Sequence, residues 1–256
     1  MANKEVALIS GGGSGIGRAV ALRLASRGAT VGVLDRDRTG AEETADLISQ
    51  AGGQAKVLIA DVSRVTEVDV AVAEFVAAAD GLDTLVAAAG VARGGLVHRM
   101  SEAAWDQVIN VNLKGTFLLA RAGIPFLQRR GGGAFVAIGS DAGVVGAIAY
   151  GAYCASKHGV IGLVKAMALD YGGQAIRCNV VCPGFVDTPM ANGIFAKAPE
   201  GTREAFEAAV PMGRFARPEE VANVVAHLTS AEASYTNGNV YLIDGGSSAG
   251  HMIGRG

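Results

Sequence analysis

The chain has 256 residues, half of them hydrophobic, with 37 glycines, 6 prolines and a formal net charge of −2 at pH 7. Glycine stands at about twice its ordinary ~7% share, but the apolar content and the lack of a triplet period exclude collagen-like and disordered chains. The 22 basic and 24 acidic residues, with no long run of either sign, exclude nucleic-acid binding through a strongly basic face.

Apolar runs and helical spacings alternate along the chain. Val6–Ile9 reads as a strand, the glycine-rich segment after it as a turn, and Ile16–Arg27 as a helix. Next come a strand at Thr30–Leu34, a helix at Ala41–Ala51, a strand at Lys56–Ala60, a helix at Val65–Ala79 and a strand at Thr84–Ala88. A long helix is expected over Ala103–Arg129, then a strand at Ala134–Ile138, a helix from about Tyr153 to Tyr171, and a strand at Arg177–Cys182. A helix at Pro218–Thr229 and a strand at Val240–Ile243 close the pattern, and Gly131–Gly133 reads as a helix-to-strand connection. Apolar, β-branched strands without two-residue alternation imply a parallel sheet covered on both faces. The fold class is α/β: a single-domain, Rossmann-like, doubly wound parallel sheet with helices on both faces, spanning 1–256.

Three cysteines, Cys154, Cys178 and Cys182, form no C-x-x-C pair, as in a reducing cytosol. The first ten residues hold an apolar run too short for a signal peptide, and the longest uncharged stretch, Ala142–Ser156, is too short to span a bilayer. A cytoplasmic protein without a membrane partner is expected.

Ser10-Gly-Gly-Gly-Ser-Gly-Ile-Gly17 lies between the first strand and the first helix. Glycines there allow a tight turn and bring backbone N–H groups to a pyrophosphate, whose charge the helix N-terminus stabilises. Asp35 ends the second strand, near the ~20-residue offset of an acid that binds an adenosine ribose. A carboxylate accepts hydrogen bonds from the ribose hydroxyls and repels a 2′-phosphate, so the cofactor reading is NAD rather than NADP. Arg36 and Arg38 are the opposing signal, as guanidinium groups able to bind a phosphate, with solvated residues after a strand as their plain reading.

Tyr153 and Lys157 stand at i and i+4 on one helix face, where the lysine charge would assist a phenol of ordinary pKa near ~10. Ser140, thirteen residues before Tyr153, follows a strand end, where its hydroxyl would face a substrate oxygen.

From about residue 4 to 248 the chain resembles the classical short-chain dehydrogenase/reductase family. The matching pieces are Ser10–Gly17, Asp61-Val62, Asn112 in Asn-Val-Asn-Leu-Lys-Gly, Ser140, Tyr153/Lys157, Pro183-Gly184 with Thr188, and Asp244-Gly-Gly246. The resemblance implies a nicotinamide cofactor and a proton-transfer set of Asn112, Ser140, Tyr153 and Lys157. Tyr153 would be the general acid in ketone reduction and the base in alcohol oxidation. Lys157 would lower the tyrosine pKa and bond the nicotinamide ribose, Ser140 would polarise the carbonyl, and Asn112 would hold a water linking Lys157 to solvent. Cofactor contacts would fall to Gly11, Ser14, Gly15, Ile16, Gly17, Asp35, Asp61, Val62, Gly90, Tyr153, Lys157, Pro183, Gly184, Val186 and Thr188. Similar proteins pack the long helix between subunits, so a homotetramer is implied, with Trp105 and Phe117 flanking Asn112.

Two positions depart from the family pattern. Ser10 stands where threonine is usual, and Ala87-Ala-Ala-Gly90 stands where the family reads Asn-Asn-Ala-Gly, removing amides that support the sheet and the cofactor pocket. The four histidines, His98, His158, His227 and His251, show no metal-ligand spacing, and no metal is expected. Cys154 reads as a small core residue, and Arg129-Arg130 as a charged helix end or, less simply, a contact for an acidic carrier protein.

The function expected is hydride transfer between NAD(H) and a small or medium secondary alcohol or ketone. The segment Asp187–Pro211 would form the substrate lid. Met190, Ile194, Phe195 and Phe206 would give one apolar wall, and Val144, Val145, Ile148 and Tyr150 the other. The alternatives are an NADPH-dependent 3-oxoacyl-carrier-protein reductase and a non-catalytic, cofactor-sensing protein of the same fold. Enoyl reduction is disfavoured because relatives of that activity space Tyr and Lys further apart. The tail 250–256 would be disordered or reach a neighbouring subunit.

Overall fold

The computed structural model describes residues 4–250. His251 and the tail beyond Gly250 lie outside the described residues. The strands are β1 (Val6–Ser10), β2 (Thr30–Asp35), β3 (Gln54–Ile59), β4 (Thr84–Ala87), β5 (Gly133–Ile138), β6 (Ile176–Pro183) and β7 (Val240–Ile243). The helices are α1 (Gly15–Ala25), α2 (Arg38–Gln50), α3 (Val65–Ala79), α4 (Glu102–Ile109), α5 (Gly115–Arg130), α6 (Gly151–Tyr171), α7 (Pro189–Phe195), α8 (Thr202–Ala209) and α9 (Pro218–Thr229).

All seven strands pair in parallel as one sheet in the order β3-β2-β1-β4-β5-β6-β7. Successive side chains of a strand point to opposite faces, so β1 feeds two cores. Val6 and Leu8 pack with Val68 and Phe75 of α3, Leu118 of α5 and Val160 of α6. Ala7 and Ile9 pack with Val20 and Leu24 of α1, Ile48 of α2 and Val225 of α9. Burying both strand faces requires apolar residues at consecutive positions, which is why β1 reads as an unbroken hydrophobic run.

The strand order reverses between β1 and β4. At such a switch point connections leave toward opposite faces and open a crevice at the carboxyl ends of the strands. Ser10, Asp35, Ser140 and Pro183 are placed there by the ends of β1, β2, β5 and β6.

The helix expected over Ala103–Arg129 is interrupted. α4 runs into a π-type turn at Asn110–Lys114 before α5 begins at Gly115. One wide turn shifts the phase of a helix without ending it, so the apolar pattern reads through. A Cβ at Gly115 would lie 2.8 Å from the Val62 side chain, so α5 starts hard against the segment after β3. The lid segment also holds two short helices, α7 and α8, which its composition does not announce. Thr188 caps α7, its hydroxyl accepting the Ala191 N–H at 3.3 Å.

Candidate active site

The glycine loop is a closed coil with no space for side chains on its inner side. Gly11 has φ +69°, and a Cβ there would come within 2.7 Å of the Ala89 backbone; a Cβ on Gly17 would lie 2.0 Å from the Gly11 carbonyl oxygen. Beside it lies a cleft of about 320 Å³, lined by Gly11, Ser14, Gly15, Ile16 and Gly17 of the loop, Asp35, Asp61 and Val62 from the ends of β2 and β3, Gly90, and Thr188. Ser14 is the N-cap residue of α1, yet its hydroxyl makes no capping bond. The first N–H groups of a helix lack intrahelical partners and favour an anion, so loop and helix start together suit a pyrophosphate.

Arg18, which the motif reading missed, locks the loop. Its Nε donates to Thr44 Oγ1 at 3.0 Å, and its Nη2 donates to the Gly13 carbonyl at 2.6 Å and to Glu43 at 2.8 Å. Nothing in its sequence position signals this, because Thr44 and Glu43 come from α2. Asp35 is also tied in, its Oδ2 accepting the Gly13 N–H and its Oδ1 the Asp37 N–H, each at 3.0 Å. Burial pushes the Asp61 carboxyl up, but hydrogen bonds from Ser63 and the charges of Arg36 and Arg64 outweigh it and hold the group below the usual carboxylate range. At the unusual Ala87-Ala-Ala-Gly90 segment, β1 and β4 are closed by backbone: the Ala88 N–H donates to the Ser10 carbonyl at 3.2 Å. The Ser10 hydroxyl adds long contacts of 3.5 Å with Val86 O and Ala89 N.

A second cavity, about 250 Å³, opens from this cleft and shares Ile16, Ala88, Gly90, Thr188 and Met190 with it. Ser140, Tyr153, Lys157, Pro183, Gly184 and Val186 line it. Ser140 leaves β5 in extended conformation and caps a single turn, Asp141–Gly143, by accepting the Ala142 N–H at 3.2 Å. One turn apart on α6, Tyr153 and Lys157 face the same space, with Lys157 Nζ 5.7 Å from the centre of the Tyr153 ring. Lys157 is buried, and its ammonium donates to the Ile138 carbonyl at 2.7 Å.

The ionisation of the pair differs from the expectation. Burial pushes the Tyr153 phenol up to about 12, with the Ser140 hydrogen bond acting in the opposite direction, and burial pushes the Lys157 ammonium down to about 8. In the protein alone, the lysine therefore does not bring the tyrosine below its ordinary value. Both groups are withdrawn from water, and the ammonium is turned to a backbone carbonyl, so desolvation dominates both shifts.

Asn112 sits in the π-type turn, buried. Its Oδ1 accepts the Val91 N–H at 2.8 Å, and its Nδ2 donates to Val91 O and to Ser156 Oγ, both at 3.0 Å. Three hydrogen bonds of this side chain join the segment after β4 to α6.

Met190, Ile194, Phe195 and Phe206 line the second cavity, and Phe185 joins them. The rings of Phe185, Phe195, Phe206 and Phe215 form one cluster with centroid spacings of 5.1–5.7 Å. Opposite them only Tyr150 of the expected wall is present. Val144, Val145 and Ile148 are 43%, 45% and 94% exposed, because the turn after Ser140 carries the chain to the surface. Cys154 is half-buried, its Sγ accepting the Ala147 N–H at 3.3 Å, while Cys178 and Cys182 are buried on β6. Arg130 pairs with Asp83 at 2.8 Å, and Arg129 lies over the Phe126 ring. Among the described residues no three His, Cys, Asp or Glu side chains gather as a metal site, and no helix is long and apolar enough to cross a membrane.

Fold and site together define an α/β dinucleotide-binding protein with a Ser-Tyr-Lys cavity beside the glycine loop. A family model described as enoyl-(acyl carrier protein) reductase matches residues 11–248. The chain is 38% identical to 2-(S)-hydroxypropyl-CoM dehydrogenase 3 of Xanthobacter autotrophicus, an alignment covering 96% of this chain and 97% of that one. It is 39% identical to a 3-oxoacyl-[acyl-carrier-protein] reductase of Thermotoga maritima, over 94% and 97% of the two chains. The crystal structure of levodione reductase superposes with a TM-score of 0.93 at 35% identity, covering 96% of this chain and 98% of the other. The chain belongs to the short-chain dehydrogenase/reductase family, whose members are oxidoreductases that use a nicotinamide cofactor.

Proposed function

We propose that the protein is an NAD-dependent oxidoreductase of secondary alcohols and ketones of small to medium size, with Tyr153 as general acid and base. The observation that carries this reading is the continuity of the two cavities: Ser140, Tyr153 and Lys157 share one space, which opens into the glycine-loop cleft through Ile16, Ala88, Gly90 and Thr188.

The cleft fits a dinucleotide, since the loop geometry that excludes a Cβ at Gly11 and Gly17 leaves its backbone open to a pyrophosphate. Asp35 would take the adenosine ribose, Asp61 and Val62 the adenine, and Val186 and Thr188 the carboxamide end. When bound, the nicotinamide supplies the hydride donor or acceptor. Tyr153 gives its hydroxyl proton to the carbonyl oxygen in reduction and takes it back in oxidation, while Ser140 orients that oxygen. Lys157 lies beneath the phenol as the neighbouring proton carrier, and Asn112 positions α6 against the end of β4.

NAD is favoured over NADP by charge. Arg36 lines the cleft, but so do Asp35, Asp37 and Asp61, and three carboxylates against one guanidinium disfavour a 2′-phosphate. Arg38 is paired with Glu42 at 3.3 Å. The carrier-protein reductase alternative gains no specific support from Arg129-Arg130, since Arg130 is paired with Asp83 and Arg129 lies on Phe126 of its own helix. A homotetramer is proposed on the exposed apolar side chains of its helices, among them Trp105, Phe117 and Leu169; light scattering on the eluting protein tests it.

A panel of ketones, alcohols and acetoacetyl thioesters, followed by nicotinamide absorbance with both cofactors, tests the assignment. NADH-linked turnover of neutral ketones is expected, with Tyr153→Phe lowering kcat by about 10²–10⁴-fold while NADH still binds. A preference for NADPH overturns the cofactor reading, turnover of thioesters alone favours the carrier-protein alternative, and retained turnover in Tyr153→Phe removes the general acid.

A further inference from the structure

Asp141, the residue after Ser140, lines the same cavity and holds the hydroxyl that the mechanism above uses. Its Oδ1 accepts the Ser140 hydroxyl at 2.8 Å and the Ala142 N–H at 2.7 Å. Both donors are neutral, and no basic group is among the charges acting on the carboxyl; the charge that does act on it is that of Asp244. Asp244 follows β7, and its carboxylate is stabilised by Ser248 and by the Gly246 N–H at 3.0 Å. Gly184 separates the two acids: a Cβ there would lie 3.1 Å from Asp244 Cβ and 3.6 Å from Asp141 Oδ2.

The other titratable groups facing Asp141 do not offset this negative charge. From α6, Tyr153 is neutral in the working range, as burial pushes it up to about 12. From β6, Cys182 is a neutral thiol, pushed up to about 11 by burial. Lys157 is the one basic side chain lining the cavity among the described residues, and its ammonium is engaged by Ile138 O. Arg203, on α8 of the lid segment, is shared by Asp187 and Glu207. The remaining walls are the aromatic and aliphatic lid residues, which offer no compensation to an anion.

From this arrangement we infer that Asp141 is a specificity-determining residue: it turns the substrate cavity against anionic substrates, so that the alcohols and ketones accepted carry no carboxylate, sulfonate or phosphate near the reacting carbon. The inference rests on the proposed function. An anion bound beside Ser140 would lie within a few ångströms of an unneutralised carboxylate in a site poorly screened by water.

The test takes the neutral ketone that the panel turns over best and compares it with its carboxylate isostere, by kcat/KM, in the wild-type protein, Asp141→Asn and Asp141→Glu. The wild type is expected to prefer the neutral ketone. Asp141→Asn is expected to shrink that preference by about tenfold, a change of one decade for the loss of one nearby charge, whereas Asp141→Glu keeps it. Any disturbance of Ser140 acts on both substrates of a variant and cancels in the ratio. A ratio in Asp141→Asn within twofold of wild type, with the neutral ketone still reduced, overturns the inference and leaves the functional reading standing. No turnover of any ketone by the wild type overturns both. Should Asp141→Asn fail to fold, Asp141→Ser decides by the same ratio: the discrimination is expected to narrow, and a ratio within twofold of wild type refutes the proposal.

Discussion

Replacing Asn112 with alanine removes three hydrogen bonds from one buried position. The Val91 N–H and C=O lose their partners at 2.8 and 3.0 Å, and Ser156 Oγ loses a donor at 3.0 Å. A buried polar group left unpaired costs about 1–3 kcal/mol. Val91 is only half-buried, so water recovers part of the loss. Three groups at the low end of that range give a destabilisation of about 2–4 kcal/mol. The damage is directed at the site, because Ser156 also donates to the Tyr153 carbonyl at 2.7 Å and Val91 lines the cofactor cleft. Urea unfolding followed by far-ultraviolet circular dichroism is expected to show a lower midpoint with an unchanged slope, and fluorescence titration a several-fold weaker affinity for NADH. A midpoint indistinguishable from wild type would refute the reasoning, since it would mean that neither Val91 group depends on the amide.

Gly17→Ala places a methyl group 2.0 Å from the Gly11 carbonyl, and Gly11 is itself pressed against Ala89, so the loop has nowhere to retreat. Calorimetric titration is expected to show NADH affinity lower by about 100-fold, with a stability loss of about 1–3 kcal/mol; wild-type binding would separate the loop from cofactor recognition. Because Tyr153 must lose a proton to act as base, kcat/KM for alcohol oxidation is expected to rise with pH. Lys157 loses its proton near about 8 while the phenol is held at about 12, so the rise is expected near 8 through Lys157, and Lys157→Met is expected to remove that limb. Stability carries a separate signature: the folded-state pKa of Lys157 lies below the ordinary lysine value, so between about 8 and 10.5 the unfolded chain binds more protons at this site, and its cost of up to about 3 kcal/mol, fully present below about 8, is relieved as the pH rises. Cys178 and Cys182, pushed up by burial, act in the opposite sense above about 9, so the measure is the difference in urea midpoint between wild type and Lys157→Met, expected to shift in favour of the wild type from pH 7 to pH 10.

Several elements were legible because their determinants are local. Val65–Ala79, Pro218–Thr229 and Val240–Ile243 fall where periodicity and helix-start signals put them. The π-type turn was hidden because one wide turn shifts the phase of a helix without ending it; it lies directly before Gly115, which packs closely against Val62. Helices α7 and α8 were hidden because neither buries a continuous apolar face of its own: only Ala191 of α7 is buried, and no residue of α8 is. The outward path of Val144, Val145 and Ile148 depends on a turn set by the Ser140 side chain. Arg18 was passed over for a similar reason, since its partners Thr44 and Glu43 lie about a quarter of a hundred residues away on another helix.

By itself the sequence determined the parallel α/β plan and the positions of the glycine loop, Asp35, Ser140, Tyr153 and Lys157. These follow from strand ends and from an i, i+4 spacing, which are one-dimensional facts about the chain. Only the tertiary structure decided how those groups ionise and what surrounds them. Desolvation raises Tyr153 and lowers Lys157, and the meeting of β5, β6 and β7 at one sheet end brings Asp141 close to Asp244 across Gly184. Withdrawal from water and like-charge proximity are set by residues distant along the chain, so they exist only once the sheet has formed.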